Sequence, residues 1–257
     1  MIGAIIGDIA GSVYEFNNTQ TEDFPLITKQ STYTDDTICT IAIADATMNG
    51  WSYKDALLDW CLTYPHPMGG YGASFLQWLL SSDHRPYYSY GNGAAMRASS
   101  IGWLFNTPME VKHYAQLSAE VSHDHPEGIK GAQAAALGVF YLRTLHDKKN
   151  FREWIESIYG KLPEYKPFSN PFEETCMNAV PVAASCFLAS TDFEDAIRKA
   201  VAVGGDSDTI AAICGGFGEA YYGVPAELKK AALKKLPHDM RSVVRQFEET
   251  RLGVSMK

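Results

Sequence analysis

Apolar residues recur at three- and four-residue spacing along most of the chain, which is the period of a helix with one buried face. This spacing predicts helices over residues 38–48, 56–62, 75–80, 111–119, 131–145, 210–222, 226–236 and 240–247. Segment 175–188 shows the same spacing, with Pro181 as a predicted kink or break. The sequence Thr191-Asp192-Phe193-Glu194 has the capping-box pattern and predicts a helix through Val201. Because no run alternates with the period of two that a half-buried strand shows, we predict an all-α protein of roughly ten or more helices.

The length and composition of the chain are those of one compact domain. The 257 residues are 46% hydrophobic and 20% charged, which excludes a disordered or membrane-like composition. Chains of up to about 250–300 residues share one core. The loops at 64–72, 83–90 and 161–171 are too short and too apolar to be linkers. We therefore expect a single domain over residues 1–257, without a membrane-spanning segment.

The charge and the cysteines indicate a reducing compartment and no polyanionic partner. The N-terminus lacks a basic region and reaches Asp8 too early for a signal peptide. The five cysteines have no CxxC spacing and are expected to be buried free thiols in a cytoplasmic protein. A formal net charge of −8 argues against non-specific binding to nucleic acid or to an anionic membrane. The same acidity suits a protein that holds cations.

Two acidic motifs stand just before helical segments of small apolar residues. The first is TDDT at residues 34–37, and the second is GGDSDT at residues 204–209. Helix capping explains one polar side chain in each motif, because Asp and Thr oxygens accept bonds from the free N–H groups of a first turn. A cap needs only one acceptor, however, whereas each motif supplies two carboxylates that repel each other.

Metal binding is the alternative interpretation of these motifs. Repulsion between neighbouring carboxylates raises their pKa values unless a cation neutralises it. Four aspartates with adjacent hydroxyls form an all-oxygen ligand set that suits Mg²⁺, Mn²⁺ or Ca²⁺ and not zinc. The motifs are far apart in sequence, so they form one site only if the fold brings the two helix starts together. The sequence by itself leaves that condition open.

Three further stretches carry polar groups in unusual settings. Residues 7–15 place Asp8 and Glu15 near glycines that allow close backbone approach, although Glu15 taken alone is best interpreted as a surface residue. Residues 89–97 form a glycine-flanked turn entering a helix, which is either an ordinary loop or a cradle for phosphate or ribose. His123 and His125 lie in a polar cluster at a helix junction, where they either bind a metal or face solvent.

Taken in order, these motifs resemble those of the ADP-ribosylglycohydrolase family, which includes the dinitrogenase-reductase-activating glycohydrolases and the ADP-ribosyl hydrolases of animals. The similarity covers most of the chain and rests on five motifs: Gly7-Asp8 with Glu15, residues 34–37, Gly91 to Arg97, Ser122-His123 with Gly131-Ala132, and residues 204–209. The resemblance implies an all-α orthogonal helical bundle with a two-metal centre, holding Mg²⁺ or Mn²⁺, at the base of a cleft.

Carried over by position, the resemblance implies three groups of site residues. The metal ligands would be Thr34, Asp35, Asp36, Asp206, Asp208 and Thr209. Glu15 matches a catalytic glutamate near the metals, and together with Asp35 it makes up the candidate catalytic residues. The loop holding the substrate diphosphate and ribose would consist of Ser89, Tyr90, Gly91, Asn92 and Gly93. His123 matches a substrate-side histidine, with Ser122 in place of the family's threonine.

The resemblance implies hydrolysis of the C1″ glycosidic or ester bond of an ADP-ribosylated protein, nucleobase or small molecule, with release of ADP-ribose. The leaving group stays open among arginine, serine, an O-acetyl ester and a nucleobase, because variable loops, here 17–32 and 161–171, would select it. A non-catalytic ADP-ribose binder and another two-metal hydrolase, such as a phosphoesterase, are the alternatives. We expect a monomer without membrane or nucleic-acid partners, although a modified nucleobase stays among the possible substrates.

Overall fold

A computed structural model describes residues 1–255 of the chain. Within this range the secondary structure consists of helices and loops, with two isolated β-bridges and no sheet, so the predicted all-α class is confirmed. The helices are α1 (Ile2–Gly11), α2 (Asp35–Asn49), α3 (Tyr53–Thr63), α4 (Ala73–Leu80), α5 (Gly93–Met96), α6 (Ile101–Leu104), α7 (Pro108–Glu120), α8 (Pro126–Leu145), α9 (Lys148–Tyr159), α10 (Cys176–Ala189), α11 (Phe193–Ala202), α12 (Ser207–Tyr222), α13 (Ala226–Leu233) and α14 (His238–Ser255).

Each predicted helical segment overlaps one of these helices, and three details differ from the prediction. The helices α1, α6 and α9 were not predicted, whereas α5 lies at the glycine-flanked turn that was expected to enter a helix. Pro181 does not break α10, which continues past it to Ala189. The N-cap of α11 is Asp192, one residue later than predicted, because its side chain accepts a hydrogen bond from the Asp195 amide. All five cysteines are buried and free, as predicted.

Helices α1 and α12 pack against each other in opposite directions and form the centre of the fold. Every residue of α1 is buried, with Gly3, Gly7 and Gly11 on one face. A Cβ added at Gly7 would lie 2.0 Å from the Ala211 carbonyl oxygen, and one at Gly11 would lie 2.4 Å from Cα of Asp208. Glycine is therefore required for this backbone-to-backbone contact. The contact places the end of α1 beside the start of α12.

A buried carboxylate of α1 holds the start of α2 in the same place. Asp8 Oδ2 accepts hydrogen bonds from the amides of Thr34 (3.0 Å) and Thr37 (3.1 Å). Its oxygens also accept bonds from the hydroxyls of both threonines, at 2.7 Å for Thr34. The two acidic helix starts therefore meet at the end of α1. None of the helices within residues 1–255 is long and apolar enough to cross a membrane.

Candidate active site

A cleft of about 390 Å³ lies where these helix ends meet. Its acidic lining is formed by Glu15, Asp35, Asp36, Glu174, Asp206 and Asp208. Other lining residues come from the loop before α4, the loop that leads into α5, Arg97 and the α7–α8 junction at His123. The cleft has the size of a small-molecule site, which is typically about 300–1,000 Å³.

The carboxylates form two overlapping groups that share Asp208. Oxygens of Asp8, Asp36 and Asp208 lie within 4.8 Å of one another, and so do oxygens of Glu15, Asp206 and Asp208. The Thr209 hydroxyl of the second motif lies 3.1 Å from both carboxylate oxygens of Asp36 in the first. The fold thus meets the condition that the sequence left open, since the two acidic motifs come together.

The buried carboxylates raise each other's pKa values, and within residues 1–255 none of the two groups' members pairs with Lys, Arg or His. Burial, followed by repulsion from neighbouring carboxylates, raises the pKa values of Asp36 and Asp208 well above the ordinary range. The same two causes raise the pKa of Glu15 to about 7. Uncompensated buried charge is costly. The all-oxygen donor set therefore fits hard divalent cations, which would supply the missing positive charge.

Thr34 and Asp35 occupy different positions relative to these groups. The Thr34 hydroxyl donates to Asp8 and accepts a bond from the Asp36 amide at 3.2 Å, so it caps α2. Asp35 is half-buried and lines the cleft, but it belongs to neither group of three carboxylates. Burial and neighbouring charges also raise its pKa well above the ordinary range. The ligand roles of both residues remain predictions.

Asp8 is a site residue to which the sequence analysis gave no role. It is fully buried and accepts four hydrogen bonds from Thr34 and Thr37. These bonds oppose the effect of burial, which raises the pKa of Asp8 to about 6. The available signal was a single acid inside an otherwise apolar helical segment.

Glu15 follows α1 and faces the loop between α3 and α4. A Cβ added at Gly69 of that loop would lie 2.6 Å from Glu15 Oε2, and Gly69 has a φ of +78°. Phe16 and Phe172 stack beside this position with ring centroids 6.0 Å apart, and Phe16 is 73% exposed. The wall next to Glu15 is therefore formed by Phe16, Glu174 and residues 69–75.

The loops 17–32 and 161–171, expected to select the leaving group, contribute none of the cleft-lining residues within 1–255. Both loops instead form hydrogen bonds with the second acidic motif or with the residues just before it. Asn18 binds both the amide and the carbonyl of Gly205 at 2.9 Å. The amides of Phe168 and Asn170 donate to the last carbonyls before the motif, at 2.7 and 3.0 Å. Gly204 and Gly205 both have positive φ, so these contacts fix a glycine turn that aims the motif's carboxylates.

The loop before α5 lines the cleft through Ser89, Gly91, Asn92 and Gly93. Its amides are less available than the predicted phosphate cradle requires. The Gly91 amide donates to Ser89 Oγ at 3.1 Å and the Asn92 amide to the Glu174 carbonyl at 3.0 Å, because a β-bridge between Gly91 and Thr175 ties the loop down. The Asn92 side chain donates to Asp206 at 2.6 Å. Tyr90 is outside the lining, with its exposed ring 5.2 Å from His125.

The two histidines at the α7–α8 junction have separate surroundings. His123 is buried and lines the cleft. His125 Nδ1 accepts a hydrogen bond from the Glu127 amide at 3.0 Å and caps α8. The solvent-facing alternative is therefore wrong for His123, and among the described residues it belongs to neither of the acidic groups that could hold a metal ion.

Comparison with known proteins agrees with this geometry. The model of the ADP-ribosylglycohydrolase family matches residues 1–255. ADP-ribosylhydrolase ARH3 of Mus musculus is 23% identical over 97% of this chain and 87% of its own length. An uncharacterized protein of Archaeoglobus fulgidus is 32% identical over 48% of this chain and 47% of its own.

The fold is also found among solved structures. A structure described as an ADP-ribosylglycohydrolase-related protein complex has a TM-score of 0.73 to this chain at 20% identity, and covers 97% of this chain and 95% of its own. At that identity the similarity shows the fold alone. The match of the family model over residues 1–255 shows the family in addition to the fold. The chain therefore belongs to the ADP-ribosylglycohydrolase family.

Proposed function

We propose that the protein is a divalent-metal-dependent ADP-ribosyl hydrolase. It cleaves the C1″ glycosidic or ester bond of an ADP-ribosylated substrate and releases ADP-ribose. The observation that carries the proposal is the meeting of Asp36, Asp206 and Asp208 with Glu15 in one cleft, in a chain of this family. Relatives named ADP-ribosylhydrolase support the substrate class.

The acidic motifs would hold two divalent cations, Mg²⁺ or Mn²⁺. The proposed ligands are Thr34, Asp35, Asp36, Asp206, Asp208 and Thr209. When bound, such cations template the ribose hydroxyls and acidify a water. The overlapping carboxylate groups supply a reason for two ions, because Asp208 belongs to both.

Glu15 is the proposed general base. Its carboxylate lies beside Asp206 and Asp208, where the proposed cations would bind and activate a water. The side chain faces the cleft and touches the loop at Gly69, so it has a fixed position from which to take a proton from an attacking water. Asp35, on the same lining, is the second proposed catalytic residue. As a metal ligand it would hold a cation in the cleft that contains Glu15.

Product analysis tests the proposal directly. Purified protein is incubated with ADP-ribosylated arginine, ADP-ribosylated serine, O-acetyl-ADP-ribose and an ADP-ribosylated nucleobase, each with Mg²⁺, Mn²⁺ or a chelator. We expect intact ADP-ribose from at least one substrate, and only with a cation. Release of AMP or phosphate would indicate a phosphoesterase, whereas ADP-ribose binding without turnover on any substrate would indicate a non-catalytic binder.

We further propose that residues 1–257 act as one cytoplasmic unit that works as a monomer. The buried apolar side chains of the described residues form one connected core, which supports the single unit. Reducing conditions suit the five buried free thiols. Light scattering at working concentrations tests the monomer.

A further inference from the structure

Three buried side chains form a hydrogen-bonded chain next to the loop of residues 89–93, here called the substrate loop. Arg97, Ser122 and His123 are 1%, 0% and 4% exposed. Arg97 Nη2 lies 3.0 Å from Ser122 Oγ, and Ser122 Oγ lies 2.8 Å from His123 Nδ1. Arg97 and His123 also line the cleft. The arginine comes from the end of α5 and the other two residues from the α7–α8 junction, so the hydrogen-bonded chain joins two elements of the site.

The chemistry of the three groups fixes the direction of one hydrogen bond and favours a direction for the other. A guanidinium has only donors, so Ser122 Oγ must accept from Arg97. The hydroxyl proton of Ser122 is then available to His123 Nδ1 at 2.8 Å, while the Tyr87 phenol, the other side-chain partner of this hydroxyl, has a proton of its own to donate. If Nδ1 carried the proton instead, Ser122 Oγ could still accept from both Arg97 and His123, but its own buried proton would then need another acceptor. The neighbouring group is the Tyr87 phenol, whose oxygen is a weaker acceptor than an imidazole nitrogen. In the favourable arrangement Arg97 therefore donates to Ser122 Oγ, and the Ser122 hydroxyl donates to His123 Nδ1. We call this pair of hydrogen bonds the relay.

We propose that Arg97 and Ser122 are positioning residues that hold His123 as the neutral tautomer with its proton on Nε2. His123 then serves the bound substrate as a hydrogen-bond donor, and it has no free nitrogen with which to act as a general base. The relay itself follows from the side-chain geometry, whereas the identity of the ligand rests on the proposed function.

The glycines of the substrate loop leave the Nε2 side of the ring open. A Cβ added at Gly93 would lie 3.2 Å from His123 Nε2, and one at Gly91 would lie 3.4 Å from it. Both glycines line the cleft together with His123. The Nε2–H group therefore faces the space between these glycines, where it meets an acceptor oxygen of the ligand, such as a ribose hydroxyl or a phosphate oxygen.

The surroundings of the ring disfavour a second proton. Burial, followed by the nearby charge of Arg97, lowers the pKa of His123 well below the ordinary range. Tyr87 packs on the ring with centroids 5.8 Å apart, and burial raises the pKa of its phenol to about 12, so it stays neutral. Asp124 accepts a bond from the Tyr88 amide, and Glu174 lines the cleft. Within residues 1–255 neither carboxylate forms an ion pair with the ring.

The tautomer is measured by ¹⁵N NMR of the histidine side chains in the ligand-free protein, with a His123→Phe variant for assignment. We expect a protonated Nε2 and an unprotonated Nδ1 for His123, without titration between about pH 5 and pH 8. A protonated Nδ1, or an imidazolium in this range, would overturn the relay. This readout needs no ADP-ribose, so it stands whether or not the proposed function holds.

Two substitutions at Ser122 separate the hydroxyl from the packing. Ser122→Ala removes the donor to Nδ1, so the Nδ1–H tautomer should become populated. The Kd for ADP-ribose should then rise about five- to tenfold, since one hydrogen bond is lost. Ser122→Thr keeps the hydroxyl and should retain both the tautomer and, within about twofold, the Kd. Melting curves of both variants control for folding.

The outcomes distinguish the relay from a structural role. A Ser122→Ala protein that keeps the pure Nε2–H tautomer would show that Arg97 and Ser122 do not position the ring. A changed tautomer with an unchanged Kd would show that Nε2–H is not the ligand's donor. A wild-type protein that binds no ADP-ribose would count against the proposed function, while the tautomer measurement would still decide the relay.

Discussion

At the scale of single residues, the chemistry of the cleft depends on what surrounds each carboxylate. Glu15 is half-buried, and its charge is repelled by the carboxylates of Asp206, Asp8 and Glu174. A glutamate in such surroundings keeps its proton to a higher pH than one in water. The raised pKa of Glu15 is therefore a property that its position in the sequence does not show. The same holds for His123, for which the sequence left metal binding and solvent exposure open, and which is buried beside Arg97.

Glu15→Gln should reduce turnover much more than binding. The amide keeps the shape of the side chain but cannot accept a proton from water, so kcat should fall by about 10²-fold or more. The Kd for ADP-ribose should stay within about twofold of wild type. Glu174→Gln, another carboxylate of the cleft lining, is the matched control and should keep most of the activity. A wild-type kcat in Glu15→Gln would limit Glu15 to a structural role.

Gly69 and Gly70 form a pair that tests the contact with Glu15. Both have positive φ, +78° and +84°, so Ala at either position strains the backbone by about 1–2 kcal/mol. Only at Gly69 would the new Cβ meet Glu15, at 2.6 Å from Oε2, whereas nothing lies within 4 Å at Gly70. We expect similar losses in melting temperature for both variants, with kcat at least about tenfold lower in Gly69→Ala alone. Equal kcat values would show that the loop does not position Glu15.

At the scale of elements, the site is produced by the packing of α1 on α12. The glycines of α1 let the two backbones touch, and this contact sets the distance between Asp8 and Asp208. The start of α2 is then attached through the bonds from Thr34 and Thr37 to Asp8. The carboxylate cluster is therefore a consequence of helix packing as well as of the two motifs.

Gly7→Ala should disturb this packing. The added Cβ would lie 2.0 Å from the Ala211 carbonyl oxygen, so the helices must separate, at a cost of about 1–3 kcal/mol or more. The melting temperature should fall by roughly 2–4 °C per kcal/mol, and cation affinity should fall with it. Gly253→Ala in α14 is the control, because nothing lies within 4 Å of its Cβ and alanine favours a helix. Equal melting temperatures for the two variants would contradict the packing argument.

The sequence predicted the helices whose apolar positions follow the helical period, and it missed those whose packing depends on other features. Three glycines in ten residues gave α1 a weak helical signal, although contact with α12 stabilises it. The two acidic motifs were recognisable because each carries more carboxylates than a cap needs. Asp8, Asn18 and Arg97 were not assigned, since their roles arise from partners far away in sequence. Long-range contacts of this kind leave no local pattern.

At the scale of the whole molecule, part of the acidic side chains is buried in one cluster. The chain has 22 Lys and Arg against 30 Asp and Glu, and several of its carboxylates lie in the buried cluster. Burial and mutual repulsion raise the pKa values of Asp36 and Asp208 well above the ordinary range, with Asp8 at about 6 and Glu15 at about 7. The stability of the protein should therefore depend on pH and on divalent cations together.

The direction of this dependence follows from proton binding. Unfolded carboxylates ionise near pH 4, whereas those of the cation-free cluster keep their protons to higher pH, so the folded state binds more protons in between. The contribution of these groups to stability is thus fully present below about pH 4 and is lost as the pH rises through about 7. Divalent cations that bind the ionised carboxylates of the folded state should remove this loss.

We therefore expect the stabilisation by Mg²⁺ or Mn²⁺ to be larger at pH 7.5 than at pH 5.5, two values on either side of the pKa of about 6 for Asp8. At one hundred times Kd, a single bound ion adds about 2.7 kcal/mol, or roughly 5–10 °C in melting temperature. Melting curves with and without chelator at both pH values provide the measurement, with NaCl at matched ionic strength as the control. Asp208→Asn removes the carboxylate that both groups share, so it should abolish most of the shift. A shift of equal size at both pH values, or one that survives in Asp208→Asn, would mean that the ions bind outside the cluster.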